Sequence, residues 1–142
     1  MATDIAQSPI TDKVRSFLTA IPRYATIATV NPDGSPHQIV IWFLMRGDTQ
    51  VVNSRHGRRW PSNLRREGRA SVCVYEGEDA VTLDCVLERE YDGEDAQADI
   101  YEMAHRYDTP EEAVIEIARY RTEPRLSFVL RPVRVRTHGD PS

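Results

Sequence analysis

The stretch "YATIATVNPDGSPHQIVIWFLM", residues 24–45, decides the fold. Its first seven residues are rich in apolar and β-branched side chains and read as a strand over 24–30. "NPDGSP", 31–36, is dense in turn formers and closes a hairpin. "HQIVIWFLM", 37–45, is the returning strand. It is apolar at both parities, which predicts that both of its faces are buried, one filling a barrel and the other meeting a second subunit. A hairpin at the start of the sheet points to antiparallel architecture.

Working outward, Ile10, Val14, Phe17, Leu18 and Ile21 recur at helical spacing and predict a short opening helix. Downstream, "RGDT" turns into a third strand, "QVVNS". A short helix starts near Trp60-Pro61, where proline's missing N–H does no harm, and Gly68 ends it. "RASVCVYE", 69–76, and "DAVTLDCVLERE", 79–90, are further strands. Ala96, Ile100, Met103, Ala104 and Tyr107 keep helical period, and Thr109, Pro110 and Glu112 form a capping-box start for another helix. A last strand runs over 125–137, and its alternation slips at Pro132, which predicts a bulge. The result is a mainly β chain with a six-stranded antiparallel barrel, closed or nearly closed, and flanking short helices. We read 1–142 as one domain, with 1–10 flexible and 92–121 a helical insert.

The 142 residues carry a formal net charge of -4, with 40% hydrophobic and 28% charged side chains. Such a balance does not favour nucleic acid. The longest apolar run, "IVIWFLM" at 39–45, is far too short to span a bilayer. The start "MATDIAQSPITDK" has no secretory pattern. Cys73 and Cys85 have no CxxC or metal-ligand spacing and read as reduced core thiols of a cytoplasmic protein.

Charge is nevertheless uneven. "NSRHGRRWPSNLRREGRASV", 53–72, holds six arginines, while acids crowd 76–99. The arginine stretch fits two readings. In one, a loop with Arg55, His56, Gly57, Arg58 and Arg59 runs into a helix start, whose free N–H groups and guanidinium forks suit a phosphate. In the other it is a solvated basic face paired with the nearby acids. Arg65, Arg66 and Arg69 fall at the helix exit, where positive charge compensates the dipole. Trp42 fits either the core or a stack on a planar ring. The sequence contains no Ser-His-Asp order, phosphate-binding loop, dinucleotide fingerprint or metal motif, so spacing alone assigns no reaction.

"TIATVNPDGSPHQIVIWF" followed by "QVVNSRHGRRWPSNLRREGRASVCV" resembles the split-barrel flavin and deazaflavin oxidoreductases, the pyridoxamine 5'-phosphate oxidase-like proteins. The final strand "RLSFVLRPVRVRTHG" matches the way that family closes its barrel. The resemblance implies a six-stranded split barrel, a homodimer, and a flavin-type cofactor in the groove between subunits. It implies hydride transfer to a small organic substrate, with no catalytic residue assigned, or a non-catalytic flavin or haem carrier. "NLRR" and "WF" lean towards the deazaflavin coenzyme F420, with FMN as the other choice. By position, Asn53, Ser54, Arg55, Arg58, Arg59 and Asn63 would line the phosphate end, and Val40 and Trp42 would lie against the ring. Trp60 stands where many relatives carry a lysine or arginine that contacts the phosphate.

Overall fold

The computed structural model describes residues 8–142. The flexible stretch expected over 1–10 falls mostly on residues 1–7, outside the described residues. Helix α1, Asp12–Thr19, begins at Thr11, whose Oγ1 accepts a hydrogen bond from the Val14 N–H at 3.2 Å. It buries Val14, Phe17 and Leu18. Ile21 lies past the helix end and is 44% exposed, so its match to the helical period is incidental.

Strands β1, Ala25–Val30, and β2, Pro36–Ile41, pair from Ala25–Ile41 to Val30–Pro36. Their turn is locked by the Asn31 N–H donating to the Ser35 carbonyl at 2.8 Å and by the Asp33 carboxylate accepting from the Ser35 N–H at 3.0 Å. The strand expected over 37–45 is broken. β2 stops at Ile41, and β3, Leu44–Arg46, starts a new pairing with β4, Thr49–Arg55. The sheet therefore has seven strands, not six. Within one chain one face of β2 lies open, with Val40 63% exposed; this is the face expected to meet a second subunit.

The remaining elements are α2, Arg59–Glu67; β5, Arg69–Glu76; β6, Asp79–Tyr91; α3, Gly93–Tyr107; α4, Pro110–Tyr120; and β7, Arg125–His138. Gly68 ends α2 at φ 71°, a left-handed conformation that suits glycine, and its N–H donates to the Leu64 carbonyl at 2.7 Å. The α4 capping box is formed in full by Thr109 and Glu112. The bulge expected at Pro132 is present: Asp84 pairs with Arg134 and Cys85 with Pro132, which leaves Val133 out of the ladder.

All pairings are antiparallel, in the order β2-β1-β5-β6-β7-β4-β3. The two edges, β2 and β3, are consecutive in the chain and joined only by Trp42 and Phe43. Three peptide steps span at most about 10 Å. The sheet must therefore roll until its edges nearly meet, which gives an incompletely closed, split barrel. Alternation then sorts the core into two layers. Phe43, Val52, Trp60, Leu64, Leu83 and Phe128 belong to the first cluster, which also takes the apolar face of α1. Val51 and Val129, one residue out of phase with Val52 and Phe128, pack on Ile100, Met103, Ala113 and Tyr120 of the helical insert. That is why β7 is buried without alternation from Arg125 to Leu130.

Among the described residues no helix is long and apolar enough to cross a membrane. Both cysteines are free. Burial, reinforced by the Asp84 charge, pushes the Cys85 thiol up to about 12. Since thiolate is the reactive form, native protein at pH 8 is expected to alkylate at Cys73 alone, with Cys85 labelled only after denaturation. Mass spectrometry of iodoacetamide-treated protein checks this; equal labelling of both thiols in the native state would contradict the burial.

Candidate functional site

The barrel's slit holds a cavity of about 220 Å³. One wall is β2, through Ile39, Val40 and Ile41. Opposite it stand Asn53 and Ser54 of β4 and Arg125 of β7. The start of α2 contributes Arg58 and Trp60, and the helical insert adds Met103, Arg119 and Tyr120. Of the nine residues expected from the resemblance, Val40, Trp42, Asn53, Ser54, Arg58 and Trp60 line this cavity. Arg55, Arg59 and Asn63 do not.

The local reasons for these placements differ. The loop before α2 turns at Gly57, where φ is 88° and an added Cβ would meet nothing within 4 Å. Glycine is needed there for the backbone angle, not for close packing within the chain. Arg58 is the N-cap residue of α2, and no side chain caps that end, so its first N–H groups keep their donor capacity. Among the described residues neither Arg58 nor Arg59 has a carboxylate within ion-pair distance. Arg59 turns towards the β1–β2 hairpin, where its charge reinforces the hydrogen bonds from Ser35 that hold the Asp33 carboxyl below the usual range. Arg55 pairs with Glu123 at 3.5 Å. Asn63 is buried and its amide donates to Thr29 Oγ1 at 3.1 Å and Asn31 Oδ1 at 3.0 Å, which pins α2 to the hairpin. Arg65 of the helix exit pairs with Glu90 at 2.7 Å, so this part of the arginine stretch does meet the acidic segment.

Trp60 borders the cavity floor yet is only 2% exposed, with its ring 5.5 Å from Phe128 and tilted by 60°. It presents no charge to a ligand. Trp42 is half-buried. One face packs on Tyr107 at 5.2 Å and 5°, and Tyr107 in turn stacks on the exposed Tyr24 at 5.8 Å. The indole also forms part of the cavity wall. Tyr107 is held by donating its hydroxyl to the Arg23 carbonyl at 2.7 Å, and burial raises its phenol above the ordinary range.

A second group of residues was not apparent from motifs. Arg125 is 8% exposed, and its Nε donates to Asn53 Oδ1 at 2.9 Å while its Nη1 pairs with Glu123 at 3.0 Å. Burial holds its guanidinium below the usual range despite Glu123, and the Arg58 charge adds to the effect. The Asn53 amide donates to Ser127 Oγ at 2.9 Å, and that hydroxyl donates to Asp99 at 2.6 Å. Asp99, 3% exposed, also accepts from the Tyr91 hydroxyl and pairs with Arg46 at 2.6 Å. A continuous polar chain therefore runs from the surface at Arg46, through the buried interface of α3 with the sheet, to Arg125 at the cavity. One signal for it was legible: Asp99 lies three residues after Ala96 and next to Ile100, on the apolar face of a helix. Arg119 and Tyr120 reach the cavity from α4. With Arg58, Arg119 and Arg125 against Glu123, the lining carries excess positive charge and suits an anionic group.

The family model for pyridoxamine 5'-phosphate oxidase matches residues 10–139. No curated protein matches the sequence. Among solved structures, an F420 reductase aligns with a TM-score of 0.68 at 19% identity, over 85% of this chain and 94% of its own. The heme storage protein HutZ from Vibrio cholerae aligns with a TM-score of 0.66 at 19% identity, over 94% and 97%. An FMN-binding protein from Syntrophomonas wolfei aligns with a TM-score of 0.61 at 18% identity, over 89% and 84%. At these identities the structures speak for the fold alone, whereas the sequence match spans nearly the whole chain. The chain belongs to the pyridoxamine 5'-phosphate oxidase family.

Proposed function

We propose that the protein is a cytoplasmic, homodimeric oxidoreductase that uses F420, or alternatively FMN, to transfer hydride to a small organic substrate. The observation that carries this reading is the slit cavity, where an uncapped helix start, Arg58 and the aromatic wall at Trp42 converge. The residues suit the group in two respects. The α2 N-terminus and Arg58, which pairs with no carboxylate among the described residues, offer donors and positive charge to a phosphate. Val40 and Trp42 offer apolar and aromatic surface to a ring. When bound, such a cofactor supplies the hydride chemistry, and this chain's side chains hold and orient it.

The size of the cavity supports the reading of a second subunit. The cavity of about 220 Å³ is smaller than the roughly 300–1,000 Å³ typical of drug-sized ligands. A flavin-type ring needs a further wall, and a second copy resting on the exposed Val40 and Tyr24 would supply it. F420 is the first choice because "NLRR" and "WF" lean that way and one similar fold belongs to an F420 reductase. A second reading, a flavin or haem carrier without turnover, is favoured by the neutral, buried Trp60 at a position where many relatives are basic.

Titrating the protein with F420 and with FMN, read by fluorescence quenching, tests the assignment. Replacing both Arg58 and Arg59 by alanine should weaken cofactor affinity more than about ten-fold, the effect of losing one charge-assisted contact or more. Arg58 is expected to carry most of the loss, since it alone of the two lines the cavity. Unchanged affinity removes the phosphate assignment. Tight binding of haemin or flavin without turnover under any reductant selects the carrier.

A further inference from the structure

Arg125 is held in place like a core residue, yet its charge is incompletely answered. It begins β7, and it is in phase with Ser127 and Val129, which face the helical insert. Its side chain is only 9% exposed while lining the slit cavity. The Cζ lies 4.9 Å from the centroid of the buried Tyr120 ring, which supports one face of the fork. Nε is fixed by Asn53, itself anchored by donating to Ser127 and, at 3.0 Å, to the Ala96 carbonyl. Nη1 donates to Glu123. Nη2, with two N–H groups, donates to nothing among the described residues. It is not one of the unpartnered side-chain atoms sealed from solvent.

The nearby carboxylates do not balance this charge. Glu123 is shared, at 3.0 Å to Arg125 and 3.5 Å to Arg55. Glu116 is taken by Arg119. Arg58 has no acid within ion-pair distance among the described residues, and its field adds to the burial that holds the Arg125 guanidinium below the usual range. A buried cation with spare donors and too few acids is costly unless an anion completes it. A fixed, desolvated guanidinium in a cleft is a group suited to recognise an oxyanion. The wall beside it is Ile100, Met103 and Tyr120. An acid with an apolar body covers that surface, whereas a bare phosphate leaves it wet.

We propose that Arg125 is the centre of a second anion subsite in the slit, on the side covered by the insert, and that it takes the carboxylate of a small organic acid. That this acid is the substrate of the reaction proposed above rests on that reading; the subsite does not.

The test titrates the full chain, without cofactor, with benzoate and with benzamide, which has the same shape and no charge. The protein has two tryptophans, and both border the cavity, so the two indole N–H signals in NMR report binding. Benzoate is expected to bind about ten-fold more tightly than benzamide. Arg125→Gln should abolish that preference and leave benzamide unchanged. Should that variant fail to fold, Arg125→Lys keeps the charge, loses the fork and should cut the preference at least about three-fold. Arg58→Ala should keep the benzoate preference and lose any preference for FMN over riboflavin, which sets the acid apart from the phosphate end. Equal affinity for acid and amide, an undiminished preference in a folded Arg125 variant, or a preference lost in Arg58→Ala overturns the proposal. So does a preference for FMN over riboflavin that vanishes in the Arg125 variants and survives in Arg58→Ala, since the anion at Arg125 is then the cofactor phosphate. F420 and FMN titrations on the same proteins separate the two ideas. Cofactor binding without benzoate preference defeats only the subsite, and benzoate preference without cofactor binding defeats only the oxidoreductase reading.

Discussion

Replacing Trp60 with lysine is expected to unfold much of the protein rather than tighten its hold on a phosphate. The family resemblance implies a basic residue at this position in many relatives, so affinity alone suggests a gain. Packing says otherwise. The indole is 2% exposed, lies against Phe128 and belongs to the barrel core. Truncating a buried tryptophan costs about 3–5 kcal/mol, and enclosing an unpaired ammonium adds several more. The whole stability of a domain this size is roughly 5–15 kcal/mol. Urea unfolding followed by circular dichroism measures the loss, with Trp60→Phe as a control expected to cost less than half as much. A lysine variant with the wild-type midpoint and stronger cofactor binding would show that the side chain escapes into the slit, contrary to this account.

Asp99→Ala is expected to destabilise by about 3 kcal/mol. The substitution strips the acceptor from three groups at once: Tyr91, Ser127 and Arg46. Breaking a buried ion pair costs about 3–5 kcal/mol, and the lower end applies because the Arg46 side chain is 42% exposed and can turn to water. The hydroxyls of Tyr91 and Ser127 have less freedom, and each orphaned donor costs about 1–3 kcal/mol unless it finds a new partner. Asp99→Asn keeps the shape and one acceptor, so it should fall between alanine and wild type. A loss below about 0.5 kcal/mol for alanine, the range of ordinary surface changes, would mean that this polar chain is incidental. The same variants should weaken ligand binding in the slit, because Ser127 supports Asn53 and Asn53 supports Arg125.

The hairpin at 24–45 announces antiparallel structure because period and turn chemistry are local properties, and the α2 boundaries follow from Pro61 and Gly68 for the same reason. The strand count was harder to read. Every residue of 37–45 tolerates extended backbone, and the break at Trp42-Phe43 is imposed by where the rolled sheet brings its edges, which no short window encodes. The site divides along the same line. Arg58 sits in a recognisable turn before a helix start, whereas Trp42 lies in the run whose break no short window encodes. Arg125 reaches the cavity only because β4 and β7 pair with Asn53 opposite Ser127, a register between residues 74 positions apart. Arg59 and Asn63 lie outside the cavity lining. Both belong to the arginine stretch, yet the turn of α2 directs one to the hairpin loop and the other into a buried amide clamp.

The two-residue link between the outermost strands has a mechanical consequence. A rolled sheet held at one corner resembles a zipper fixed at its base: the Ile41 end of β2 is tethered by the link, and the Pro36 end is tied only through the Asn63 clamp on the hairpin. Trp42 sits at that fixed base. Any loosening of the seam away from the link would therefore leave the indole in place.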